Sequence, residues 1–216
     1  MALRQDICAA MRELVRTGLN RGTAGNISVR EGMNMLITPS GVPPEEITPD
    51  MIARIPLTED PRAEGPLKPS VEWRFHRAIL ANRVDIGAVV HTHAPWCTVL
   101  ACARRPIPGL HYMVTRLGGQ DIRVADYALY GTDALSASIL AAMQDRLGCL
   151  MANHGMLAAG KTLAHAMANA EEMESLAHTY VHSLMIGGPA LLNDDELTAA
   201  RDGLAHYGKR ESGNAG

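Results

Sequence analysis

Two imidazoles one residue apart close the apolar run Val89-Val90-His91-Thr92-His93. In an extended strand alternate residues share a face, so His91 and His93 project to the same side. That is how two neutral nitrogen ligands can be offered to one metal ion. Taken alone, such a pair reads more readily as surface or hydrogen-bonded histidines at a strand end. A third histidine shifts the balance. His154, in Leu150-Met151-Ala152-Asn153-His154-Gly155, again ends an apolar run and is followed by glycine. Three histidines at the ends of two buried strands fit a catalytic zinc site with one position left open. The remaining histidines lack this setting: His76, His165, His178 and His182 read as helix-surface or helix-packing residues, and His111 and His206 stand beside tyrosines.

The acidic companion comes from Lys68-Pro69-Ser70-Val71-Glu72-Trp73. Glu72 opens a helical pattern, where a carboxylate is favoured by the helix dipole alone. Two small-residue turns, Gly22-Thr23-Ala24-Gly25-Asn26 and Thr38-Pro39-Ser40-Gly41, can aim several N–H groups at one anion. Thr23, Asn26, Ser40 and Ser70 add hydroxyl or amide donors. Together these segments offer a phosphate cradle that has no P-loop lysine. No Walker motif and no GxGxxG follows a strand, which argues against a nucleotide site.

The elements that must position these groups alternate between helix and strand. Ile7, Met11, Leu14 and Val15 predict an amphipathic first helix ending near Gly18. Ile27–Arg30 and Met35–Pro39 are short strand-like runs around a turn. Residues 39–70 hold eight of the twelve prolines, so an irregular stretch with short structured pieces is expected. Helical spacing returns over 71–83, a strand over 86–93 and a helix over 95–103. Residues 146–160 read as a buried strand and turn, 163–185 as a long helix, and 194–206 as a last helix. A polar tail, expected to be mobile, follows from about residue 207. The alternation implies an α/β fold, and residues 1–216 are expected to form one domain.

Composition narrows the function classes. The chain has a net charge of −3 and no basic stripe, so nucleic acid is not expected as a partner. No apolar stretch reaches membrane-spanning length. The four cysteines, Cys8, Cys97, Cys102 and Cys149, form no CxxC pair, and with acidic residues inside the first helix a cytoplasmic setting is the simplest expectation.

The ordered segments GLNRGTAGNISVR, ITPSG, KPSVEWRFHRAI, AVVHTHAPWCTVLA, LHYM, YGT, NHGML and HYGKR resemble the class II aldolase/adducin family over nearly the whole chain. They are nearest to its branch acting on fuculose 1-phosphate. The resemblance implies a three-layer α/β/α sandwich around a central, largely antiparallel mixed sheet, and a homotetramer with active sites at subunit interfaces. It makes His91, His93 and His154 the ligands of one Zn²⁺, with Co²⁺ or Mn²⁺ as substitutes. Glu72 becomes the catalytic acid/base, also able to touch the metal. Gly25, Asn26, Ser40, Gly41 and Ser70 hold the phosphate of a ketose substrate, Tyr112 reaches a neighbouring site as an acid, and Tyr207 closes the site from the tail. Two positions depart from the fuculose pattern: Val71 replaces a second serine, and Tyr130 replaces a phenylalanine on the aldehyde side.

The chemistry so implied is cleavage of a C3–C4 bond in a ketose 1-phosphate, giving dihydroxyacetone phosphate and an aldehyde. Electrons left beside a carbonyl are too costly as a bare carbanion, and a Lewis acid stabilises them as an enediolate. Glu72 is the acidic residue inside these motifs, and Tyr112 the second proton carrier. A Schiff-base route is disfavoured, because the lysines within the motifs, Lys68 and Lys209, sit in a proline-flanked loop and a polar tail. The substrates in view are 5-deoxypentulose, 5-methylthioribulose and fuculose 1-phosphates. Alternatives on the same scaffold are a methylthioribulose-1-phosphate dehydratase, a sugar-phosphate 4-epimerase or a non-catalytic adducin-like interaction module.

Overall fold

The computed structural model describes residues 1–58 and 61–206, and in the last helix side chains only as far as residue 204. The expected tail and Tyr207 lie outside the described residues. In chain order the elements are α1 (Ala2–Arg16), β1 (Asn26–Glu31), β2 (Asn34–Ile37), a 3₁₀ turn (Pro49–Met51), β3 (Ala53–Pro56), α2 (Trp73–Asn82), β4 (Ala88–Thr92), α3 (Pro95–Cys102), a second 3₁₀ segment (Tyr112–Leu117), β5 (Val124–Ala125), α4 (Asp133–Ala142), β6 (Gly148–Met151), β7 (Gly155–Gly160), α5 (Leu163–Met185) and α6 (Asp194–His206).

The strands form one seven-stranded sheet in the order β3-β2-β1-β4-β7-β6-β5. Every neighbouring pair is antiparallel except β5–β6. Helices cover both faces, so the fold is the expected α/β/α sandwich around a largely antiparallel sheet. Strand alternation feeds the two layers. Ala88 and Val90 of β4 join the core built with α1, α3 and α5. Val89 joins the core built with α2 and α4. Its parity partner His91 therefore points to the α2 side.

In α1, Ile7, Met11 and Leu14 are buried as predicted, but Val15 is 40% exposed. At 100° per residue it stands about 80° round from Ile7, inside the arc that Met11 and Cys8 bury, so its exposure comes from its place in the last turn of the helix and not from its angle. The proline-rich stretch contributes an edge strand, β3, paired with β2. Edge position suits it, because a proline at the strand's end forfeits no needed ladder bond. Residues 146–160 are a hairpin of two strands rather than one strand and a turn, with His154 in the connection. Among the described residues no helix is long and apolar enough to cross a membrane. All four cysteines are free.

Candidate metal centre

His91 occupies the central strand β4 and is fully buried. Its Nδ1 lies 2.9 Å from the carbonyl oxygen of Met156 on the adjacent strand β7. A carbonyl only accepts, so Nδ1 carries the proton and Nε2 presents a lone pair. Burial, partly offset by Glu72, lowers the pKa of His91 to about 4, and the ring is neutral at neutral pH. His93 falls one residue past the end of β4 but keeps its parity, and burial lowers its pKa too. His154 reaches the same point from the β6–β7 turn. The three rings form a nearly regular triangle, with centroids 5.1, 4.8 and 5.0 Å apart. One ring nitrogen of each lies within 4.8 Å of the others.

Glu72, at the N-terminal boundary of α2, faces this triangle. Its Oε2 is 3.3 Å from His91 Nε2 and its Oε1 is 3.2 Å from His154 Nε2. Neither contact is aligned as a hydrogen bond: Glu72 Oε1 and His91 Nε2 are buried polar atoms without a hydrogen-bond partner among the described residues. Buried atoms of this kind cost free energy unless something else satisfies them. A divalent cation does so, since it accepts an imidazole lone pair and a carboxylate oxygen together. The donor set therefore fits a metal ion. Burial works to raise the Glu72 pKa, but His91, His154 and the Asn26 amide outweigh it and hold the carboxyl well below the usual carboxylate range.

Local packing explains the convergence. Asn26 of β1 is the ladder partner of His91. Phe75 of α2 meets the His91 ring edge-on at 5.7 Å. A Cβ on Gly25 would lie 2.7 Å from the His91 carbonyl oxygen, and the residue has φ +73°, so glycine is required beside β4. A Cβ on Gly155 would lie 2.5 Å from the Thr92 carbonyl oxygen and 2.9 Å from the His93 ring. Glycine after His154 thus lets the hairpin turn approach the other two ligands.

A cavity of about 230 Å³ opens over the centre. Its wall joins Glu72, His93 and His154 to the predicted donors Thr23, Gly25, Asn26, Ser40, Gly41 and Ser70, and to Val71 and Tyr130. The two outer donor segments are tied together by backbone bonds from Ser40 N to the Lys68 carbonyl (3.1 Å) and from Ser70 N to the Thr38 carbonyl (2.9 Å). Among the described residues no lysine or arginine lines this cavity. Tyr112 is placed elsewhere. It is 48% exposed, and lines a separate cavity with Arg116 and Arg201.

Three supporting groups escaped the sequence reading. His76 is buried between Ser28 and Asn26 rather than merely packed on a helix. Its i,i+4 spacing from Glu72 was the available signal. Ser28 gave no signal beyond strand parity with Asn26. Glu174 of α5 accepts from the backbone N–H groups of Trp96 (2.8 Å) and Cys97 (2.9 Å), capping α3 just after His93. A contact across 77 residues has no local sequence signature.

The family model described as "Class II Aldolase and Adducin N-terminal domain" matches residues 5–181. The chain belongs to this family. Among its class II aldolase relatives is the 5-methylthioribulose-1-phosphate/5-deoxyribulose-1-phosphate aldolase of Rhodospirillum rubrum, 50% identical over 96% of this chain and 93% of the relative. The L-fuculose phosphate aldolase of Escherichia coli O6:H1 is 42% identical over 96% of each chain. A solved structure of an L-fuculose 1-phosphate aldolase superposes with a TM-score of 0.89 at 38% identity, covering 94% of this chain and 95% of the other. The likeness shows a class II aldolase fold for the mixed sheet and its flanking helices.

Proposed function

We propose that the protein is a zinc-dependent aldolase that reversibly cleaves a ketose 1-phosphate to dihydroxyacetone phosphate and an aldehyde. The observation that carries this reading is the pairing of two features: a histidine triangle beside Glu72 with unsatisfied buried atoms on His91 and Glu72, and, over it, a cavity rimmed by neutral donors suited to a phosphate. His91, His93 and His154 would hold the ion, with Glu72 beside them. When bound, the ion supplies Lewis-acid stabilisation of the negative charge that develops next to the substrate carbonyl.

The chain's own residues do the rest. The Thr23–Asn26, Ser40–Gly41 and Ser70 segments seat the phosphate and fix the reacting carbons against the histidines. Glu72 Oε2 is engaged by Asn26 Nδ2 at 2.9 Å, so Oε1 is the oxygen that takes and returns the substrate proton. The family resemblance gives Tyr112 to a neighbouring subunit's site within a homotetramer. Its exposed position away from its own cavity supports that assignment. In the same way Tyr207 would close the site.

Val71 and Tyr130, 52% and 61% exposed on the cavity wall, favour a substrate with a less hydroxylated distal end. A valine side chain cannot donate to a phosphate, and one hydrogen bond to a charged group is worth about 1.5–3 kcal/mol. We therefore assign 5-deoxyribulose and 5-methylthioribulose 1-phosphates as preferred substrates. The test measures dihydroxyacetone phosphate release, through a coupled dehydrogenase, from these two and from fuculose 1-phosphate. A preference for fuculose 1-phosphate overturns the substrate assignment. Absence of dihydroxyacetone phosphate from all three overturns the aldolase reading, and a dehydrated product in its place identifies a dehydratase.

A further inference from the structure

Behind Glu72 runs a buried polar chain that ends inside the α2 layer. Asn26 Nδ2 donates to Glu72 Oε2 at 2.9 Å. Asn26 Oδ1 lies 2.5 Å from His76 Nε2. His76 Nδ1 lies 2.7 Å from Ser28 Oγ. His76 and Ser28 are fully buried, and Asn26 is 4% exposed. An ionised carboxylate can only accept, so the Asn26 amide must turn its NH₂ toward Glu72. Its carbonyl then faces His76 and needs a donor there. His76 must therefore carry its proton on Nε2, leaving Nδ1 to accept from the Ser28 hydroxyl. Each link has one polarity, and it gives a partner to Glu72 Oε2, to both ends of the Asn26 amide, to both His76 nitrogens and to the Ser28 hydroxyl.

The polarity is also what keeps Glu72 aimed. With the Asn26 amide reversed, its carbonyl oxygen would face the carboxylate, and acceptor would meet acceptor in a buried site. The His76 ring is fully buried and stacks on Phe75 at 4.7 Å with 22° between planes, which keeps it in line with Asn26. We propose that His76, as the neutral Nε2–H tautomer, is a positioning residue: through Asn26 it fixes Glu72 Oε2 and leaves Oε1 turned to the histidine triangle. Both ends of the Asn26 amide are engaged in this task, so one amide N–H of its side chain remains for a bound phosphate.

The kinetic arm of the test rests on the aldolase reading, and the spectroscopic arm does not. In metal-free protein labelled with ¹⁵N-histidine, the His76 resonances, assigned by their absence from His76→Gln, should show a neutral ring protonated on Nε2 at pH 7. An Nδ1–H or doubly protonated ring overturns the proposal whatever the enzyme's substrate. For the kinetics, His76→Phe keeps the ring volume and the stacking but removes the donor. Support of a site by such outer partners is typically worth about 10- to 100-fold. His76→Phe should lose kcat in that range, with KM within about threefold of the wild type. His76→Gln restores an N–H toward Asn26 and should recover most of the lost kcat. Equal losses in both variants, or a wild-type kcat in His76→Phe, overturn the proposal. If His76→Phe does not fold, the tautomer measurement and His76→Gln decide it. If the wild-type enzyme cleaves no ketose phosphate, the aldolase reading fails and the tautomer measurement stands on its own.

Discussion

Replacing Glu72 with glutamine separates proton transfer from architecture. The amide has the same shape as the carboxylate and keeps one acceptor. That acceptor can stay 2.9 Å from Asn26 Nδ2, as Oε2 does now. The new NH₂ then takes the place of Oε1 and points at His154 Nε2, 3.2 Å away. In metal-free protein the fold loses only the charge-assisted part of the Asn26 bond, about 1 kcal/mol. Relief of a buried charge offsets part of that loss. Stability should therefore change by no more than about 1 kcal/mol. Turnover has no such compensation, because an amide cannot take the substrate proton. General acid–base groups contribute roughly 10²–10⁴-fold, or about 3–5 kcal/mol of barrier. Calorimetry, metal content by mass spectrometry and kcat from the coupled assay measure the three quantities on one preparation. A kcat within threefold of the wild type at full metal content would refute the assignment of Glu72 as the proton carrier. Loss of the metal along with the rate would show that Glu72 is chiefly a ligand.

Further outcomes follow from the same geometry. His154→Ala should lose bound metal and activity together, since one corner of the ring triangle disappears; metal retained at one ion per chain with normal turnover would displace the site. Gly25→Ala should cost more than about 2 kcal/mol, combining left-handed strain with a Cβ 2.7 Å from the His91 carbonyl oxygen, and should raise KM for the phosphorylated substrate; urea titration and initial rates read both effects. Mixing inactive Glu72→Gln with inactive Tyr112→Phe chains should restore part of the activity in mixed oligomers, and a fully active monomer in sedimentation would rule out the shared site. The metal-free protein should be acid-labile: burial holds His76 at about 3, the unfolded chain takes that proton near 6.5, and so this contribution is complete above pH 6.5 and falls as pH drops. The slope grows from about 0.7 kcal/mol per pH unit at pH 6.5 towards about 1.4 at lower pH, so urea unfolding at pH 6.5 and 5 should differ by about 1.6 kcal/mol from this group, and a flat response would contradict it.

The parts legible in the sequence were those with short-range periodicity. The period of two placed His91 on a buried strand, and the small-residue turns marked the donors that now line the cavity. Glycine after His154 hinted at the close approach that the hairpin requires. What stayed hidden was set by distant pairing. His76 looked like a helix-packing residue because its partners Ser28 and Asn26 lie some 50 residues earlier, on β1. Val15 shared a heptad-like pattern with buried neighbours yet faces solvent, because how far along the helix a stripe stays buried is decided by what covers it. The edge strand β3 was obscured by prolines that disfavour central strands but are tolerated at an edge.

The placement of Val71 and Tyr130 has an evolutionary consequence. Of the candidate ligands, His91 is fully buried on the central strand β4, His93 and His154 stand just beyond strand ends, and Glu72 is buried at the start of α2, where a change disturbs the packing around it. Val71 and Tyr130 sit on exposed connections along the cavity wall, where a substitution typically moves stability by no more than about 0.5 kcal/mol. Selection can therefore sample new distal groups on the sugar at little cost to folding, while the reacting end of the molecule is held constant. A lineage built on this frame should diversify in what it accepts sooner than in what it does.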